Sequence, residues 1–145
     1  MITELPALVN DSLVRLIDGE LTLLGSRCED CGEHYFPQRK SCTRCFGAHV
    51  KPCDLGSQGT LWSWTTQAFL PKTPYDGGES PNDFKPFGVG YIEMATGLKV
   101  EARLTTADPA QLRIGMAMEL TLDPYRTTEN GPVHTFAFGP VNRNE

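Results

Sequence analysis

Apolar and polar residues alternate strictly in two stretches of the second half of the chain. Leu98, Val100, Ala102 and Leu104 alternate with Lys99, Glu101 and Arg103, the period of a strand with one buried face. Met116, Met118, Leu120 and Leu122 do the same against Ala117, Glu119 and Thr121. Residues 59–69, 87–94 and 133–138 read as further strands, which makes five. Between the third and fourth, Asp108-Pro109 predicts an N-cap followed by proline in the first position of a short helical turn. Five short strands with one such insertion predict a small Greek-key barrel of the OB type. Closure of the barrel removes the exposed edges that short strands would otherwise present.

The first twenty residues show a different period. Leu5, Leu8, Val9, Ser12, Leu13, Leu16 and Ile17 fall at intervals of three and four, which predicts an amphipathic helix over 1–20. Pro6 suits a first turn, and Gly19 stands where a left-handed cap would end the helix. Residues 21–24 then read as a strand. The expected organisation is a helix at 1–20, a small module at 21–54, a barrel at 55–140 and a tail at 141–145. One long interruption, residues 70–86, carries Pro71, Pro74, Pro81, Pro86, Gly77 and Gly78 with Tyr75 and Phe84. Loops of this length in small domains are either functional arms or mobile tips.

The module at 21–54 contains the chemistry. Cys28/Cys31 and Cys42/Cys45 form two Cys-x-x-Cys pairs with ten residues between them. Each pair can aim two thiolates at one ion, and two short strands can bring the pairs together. A tetrahedral Cys₄ zinc site follows, with iron as the rival ion. Four thiolates close the coordination sphere, so the metal reads as structural; a catalytic zinc keeps a position open for water. Gly32 permits a tight turn after the first pair, and Tyr35-Phe36-Pro37 supplies apolar cover. His34, His49 and His134 are not grouped, and the sulfurs leave them no place in the sphere. Cys53 lacks a local base and reads as a packing residue.

Charge narrows the function. The net charge is −5, but residues 27–51 hold Arg27, Arg39, Lys40, Arg44 and Lys51 against Glu29, Asp30 and Glu33, a local +2. The rest of the chain therefore carries −7 and would repel a phosphate backbone, which argues against nucleic acid. No stretch approaches the ~20 apolar residues of a membrane span. The opening residues carry Glu4, Asp11 and Asp18 with Arg15 as their basic residue, unlike a secretion signal. A reducing cytoplasmic setting then favours metal over disulfides.

Motifs of nucleophilic, phosphate-binding and metallohydrolase chemistry are missing. Candidate contacts remain. Arg39, Lys40 and Arg44 are a basic cluster fit for the phosphates of coenzyme A. Trp62 and Trp64, expected on one face of their strand, read with Tyr75 and Phe84 as partner contacts.

The order of parts is that of a known family. Gly19-Glu20-Leu21, Arg27-Cys28-x-x-Cys31-Gly32, Tyr35-Phe36-Pro37-x-Arg39, Cys42-x-x-Cys45, Gly59-Thr60-Leu61 and Trp64-Thr65 follow one another. Pro86-Phe87-x-Val89, Asp108-Pro109, Ile114-Gly115-Met116 and Phe136-x-Phe138 complete the series. From about residue 13 to 140 the chain resembles the zinc-ribbon/OB-fold proteins once filed as domain of unknown function 35. It departs from many members at Gln38, Thr43 and Phe46, where proline, proline and glycine are common. The resemblance implies acyl-CoA thioester chemistry carried out by a separate thiolase-like subunit. It is similar to the zinc-finger subunits of degradative thiolases, including that of benzoylsuccinyl-CoA thiolase. The expected role is therefore a non-catalytic zinc-binding subunit that braces a thiolase-type chain and shapes its CoA-thioester site. The alternatives are a stand-alone acyl-CoA binder and a nucleic-acid-binding ribbon/OB module.

Overall fold

A hairpin stands where the apolar spacing predicts a helix. In the computed structural model, which describes residues 4–141, strand β1 (Val14–Ile17) turns into β2 (Glu20–Cys28). Ile17 pairs with Glu20, so Asp18 and Gly19 alone make the connection, at φ values of 52° and 80°. Two central residues with positive φ give the turn whose twist matches a hairpin, and Asp-Gly supplies it at low steric cost. The dipeptide that looks like a helix cap is a hairpin turn. Among the described residues there is no α-helix, and positions 1–3 of the expected one lie outside them.

β2 is the centre of a small sheet. β4 (Val50–Gly56) pairs along one edge, from Leu23↔Gly56 to Cys28↔Val50. β1 and the two-residue β3 (His34–Tyr35) share the other edge. Arg15 of β1 reaches over this sheet to Asp54 of β4 with two hydrogen bonds of 2.8 and 2.7 Å. That fork holds the Asp54 carboxyl below its ordinary range, chiefly through hydrogen bonding. Val14, Leu21, Leu23 and Leu55 bury the inner face.

The second half closes into a barrel of β5 (Gln58–Gln67), β6 (Phe87–Met94), β7 (Lys99–Leu104), β8 (Ala117–Thr128) and β9 (Gly131–Pro140). The order around it is β5-β6-β7-β9-β8, with β8 returning to β5. Every pairing is antiparallel except β7 with β9. Leu61, Ile92, Val100, Leu104, Met118 and Phe138 fill the interior, each at most 2% exposed. The five-stranded barrel is the one that the alternating pattern predicts. The insertion at Asp108-Pro109 is a hydrogen-bonded turn and no more. The Asp108 side chain accepts from the Ala110 amide at 2.9 Å and its carbonyl from the Gln111 amide at 2.9 Å.

Two bulges interrupt the barrel ladder. One lies between Leu61 and Ser63, leaving Trp62 without a cross-strand partner, and the other between Pro124 and Arg126 frees Tyr125. Bulges of this kind re-aim the extra side chain. The ribbon sheet and the barrel share one apolar core, and Phe36 meets Phe136 edge-on at 5.4 Å between ring centres. Near the N-terminus, Leu8 lies parallel to β9 at His134. The Val9 amide donates to His134 O at 2.9 Å, and the His134 amide to Ala7 O at 2.8 Å.

Candidate metal centre

Each Cys-x-x-Cys pair sits on a turn at one end of the small sheet. Cys28 ends β2, and Gly32 at φ 83° closes the first turn, its amide donating to Cys28 O at 2.8 Å. The second turn returns through Gly47, whose carbonyl accepts from the Cys42 amide at 3.0 Å. The four sulfurs converge so that all lie within 4.8 Å of one another. Cys31 to Cys42 is 3.5 Å and Cys28 to Cys45 is 3.6 Å. A tetrahedral ion with metal–sulfur bonds of ~2.3 Å requires sulfur separations of about 3.8 Å. The cage therefore has the size and the donor set for one such ion.

Its surroundings favour thiolate. The Arg44 and Cys45 amides point at Cys42 Sγ from 3.3 and 3.4 Å, and the Tyr35 hydroxyl lies 3.2 Å away. The same hydroxyl accepts from the Thr43 amide at 2.9 Å and lies 3.0 Å from Thr43 Oγ1. The Tyr35 hydroxyl first, then the Cys45 and Arg44 amides, bring the Cys42 thiol down to about 6. Cys45 shows the opposite balance. The Gly47 amide favours its thiolate, but hydrogen bonding with Cys28 and burial outweigh that and push it up to about 12. Four sulfurs this close ionise together only around a cation, so the donor chemistry fits a metal.

Other candidate residues are dispersed. His34 lies in β3, and His49 pairs with Asp30 at 3.0 Å. Cys53 is half-buried in β4, its thiol 3.6 Å from Asp54 O. Arg39, Lys40 and Arg44 are all exposed. Arg39 donates to Ser41 O at 3.0 Å and stands 5.4 Å over the Tyr35 ring, so its charge is partly engaged within the ribbon. The two tryptophans, expected on one face, occupy different environments because of the bulge. Trp62 is 51% exposed, edge-on to Tyr91, with Lys99 Nζ 4.9 Å over its ring, whereas Trp64 packs against the core.

The 70–86 loop is folded against the barrel through its own Tyr75 and Phe84, together with Asp76, Arg103, Tyr125 and Arg126, which the sequence pattern does not single out. Tyr75 stacks on Phe87 and meets Tyr125 edge-on at 5.7 Å, while Phe84 meets Phe87 at 5.9 Å. Asp76 accepts a hydrogen bond of 3.0 Å from Tyr125 and pairs with Arg126, which also donates to Asp76 O at 2.9 Å. Arg103 lies 4.1 Å over the Phe87 ring. Tyr75, Phe87, Arg103 and Tyr125, with Val89, Glu101, Ala102, Thr135 and Phe136, line a surface cleft of about 270 Å³.

Two family models match in the same order as these parts. The ChsH2 rubredoxin-like zinc ribbon domain matches residues 19–50, and the ChsH2 C-terminal OB-fold domain matches residues 54–123. A "DUF35 domain-containing scaffold protein" of Pyrococcus furiosus is 26% identical over 125 residues, 85% of this chain and 86% of the relative. A protein of the same description from Methanocaldococcus jannaschii is 26% identical over 140 residues, 91% of each. Among solved structures, a chain of the "Ltp2-ChsH2(DUF35) aldolase" shares the fold with a TM-score of 0.58 at 21% identity, covering 82% of this chain and 84% of that one. Ribbon and barrel both match in order, and the chain belongs to the DUF35 family of zinc-ribbon/OB-fold proteins.

Proposed function

We propose that this chain is a zinc-binding, non-catalytic scaffold subunit of an acyl-CoA enzyme complex. Its partner would be a thiolase-type chain whose CoA-thioester site it braces. The carrying observation is the closed sulfur cage: four thiolates within 4.8 Å fill a tetrahedron and leave no position for substrate. Such an ion shapes the ribbon and does not activate water. Zinc fits four thiolates at these separations and needs no redox partner. Two further observations support the scaffold role. Relatives of similar length are DUF35 domain-containing scaffold proteins, and a similar fold occurs in the Ltp2-ChsH2(DUF35) aldolase.

Within this reading Trp62 offers free aromatic surface to a partner. Trp64, Tyr75 and Phe84 hold the barrel face and the loop behind it. In the alternative reading of a stand-alone acyl-CoA binder, Arg39, Lys40 and Arg44 would instead meet the phosphates of CoA. The test is co-expression with a thiolase-type subunit of the same host. The expected result is co-elution in fixed ratio with one zinc per chain, thiolytic activity appearing in the complex and not in this chain alone. Turnover by the isolated chain, or failure to associate under gentle conditions, rejects the reading. A stand-alone acyl-CoA binder rests on the exposed Lys40 and Arg44; calorimetry with CoA thioesters on the isolated chain separates the two.

A further inference from the structure

The two cysteine turns differ in the residue that follows the second cysteine. After Cys31 stands Gly32, at φ 83°; after Cys45 stands Phe46, at φ 62°. Both are in the left-handed region, which glycine enters freely and a residue with a Cβ enters at a cost. A bulky aromatic side chain is an outlier there. Packing does not repay that cost, because Phe46 is 86% exposed, more than any other large apolar residue described. The chain thus holds its most exposed aromatic side chain on a strained backbone, beside a metal ligand, with almost nothing of its own in contact with the ring.

From this we infer that Phe46 is the anchor of a protein–protein contact, inserted into an apolar pocket with an acidic rim on the partner subunit. The inference rests on the scaffold reading above and names the surface that reading leaves open. A side chain this exposed has no wall against which to hold a small molecule; it can fill only a pocket that another molecule provides. The rim is set by charge. Arg44 lies two residues before Phe46, Lys40 shares the same loop, and the surrounding segment 27–51 is +2 in a chain of −5. Aromatic anchors at the centre of an interface, ringed by polar contacts, carry a disproportionate share of affinity. The cage makes the presentation rigid, since Cys45 is tied by its amide to Cys42 Sγ at 3.4 Å and the Cys42 amide to Gly47 O at 3.0 Å.

Phe46→Gly separates this role from a structural one, because the two predict opposite signs. The variant is compared with the parent for zinc content, thermal midpoint and affinity for the thiolase-type subunit. The expected result is full zinc and a midpoint unchanged or a few degrees higher, as relief of left-handed strain predicts. Affinity for the partner should fall about 30-fold or more, the loss expected of a hot-spot aromatic. Lys40→Glu with Arg44→Glu should weaken the complex further as salt is lowered, since like charges then face each other. Unchanged affinity of Phe46→Gly for a partner that binds the parent overturns the inference and leaves the scaffold reading standing. Loss of zinc or a lowered midpoint overturns it in favour of a structural role. Phe46-dependent binding of CoA by the isolated chain, or Phe46-dependent self-association, assigns the side chain to a nucleotide or a second copy and overturns it too. If the parent binds no thiolase-type subunit, both readings fall.

Discussion

The ribbon and the barrel solve the same problem by different means. The barrel buries Leu61, Ile92, Val100, Leu104, Met118 and Phe138 inside a closed ladder of backbone hydrogen bonds. The ribbon beyond Cys28 has a two-residue strand, two turns and no apolar interior of its own; what converges there is four sulfurs. One region is held by area removed from water, the other by bonds to a single ion. Their junction is mixed, since Leu21, Leu23 and Leu55 of the small sheet join the barrel core, and Phe36 reaches across to Phe136. A metal-held module fused to a self-sufficient barrel should therefore respond to chelation locally.

Removing the metal is the harshest way to break that contrast. Metal binding is worth an apparent ~10–16 kcal/mol in small zinc peptides, and otherwise a few hydrogen bonds hold the two turns. Chelation or Cys42→Ser should expose the amides of residues 28–47 to hydrogen exchange while those of β6, β7 and β9 stay protected. Uniform loss of protection would show that the barrel depends on the ion as well. The converse experiment is Phe138→Ala. That side chain is 0% exposed, and truncating a buried phenylalanine costs about 3–5 kcal/mol. Denaturant titration should show that loss, with the metal retained in whatever fraction remains folded.

The contrast also explains what could be read from the residues alone. Cysteine spacing reports ligand geometry directly, because two thiolates three residues apart can reach one ion without help from distant chain. Period-two alternation reports a half-buried strand for the same local reason, and β6, β7 and the first third of β8 follow it. Reading failed where a local pattern had two solutions or where the partner was far away. The spacing of Leu13, Leu16 and Ile17 fits a helix, yet Val14 and Leu16 also alternate with exposed Arg15. Asp18-Gly19 leaves the choice open in sequence, because it suits a tight hairpin as well as a cap. The placement of Trp62 depends on one unpaired residue in the ladder with β6. The order of the 70–86 loop depends on Tyr125 and Arg126, about fifty residues on.

The hairpin turn offers a smaller test within the ribbon sheet. Gly19→Ala places a Cβ at φ 80°, which costs roughly 1–2 kcal/mol. The midpoint of thermal unfolding should fall by a few degrees. Metal content should not change, because β1 supplies no ligand. If the variant instead gained stability, a helix over 1–20 would be the better description, since alanine favours helix interiors.

The smallest expected effect concerns the loop that covers the barrel cleft. Hydrogen bonds from Arg126 first, then from Tyr125, hold the Asp76 carboxyl below its ordinary range. A carboxyl depressed in the folded state stabilises it fully above the unfolded value, ~3.9, and that contribution is lost as pH falls through the lower folded value. The clamp should therefore be insensitive to pH from 8 down to about 5 and open only in acid below ~4. Backbone amide resonances of residues 75–79 would report the opening, and Asp76→Asn should shift them toward the acid form already at neutral pH. The metal-held turns should stay unchanged in that variant at neutral pH, for the contacts that hold Asp76 and Tyr75 come from β6 and β8. Movement of both regions together would mean that the ion and the barrel core are not independent supports.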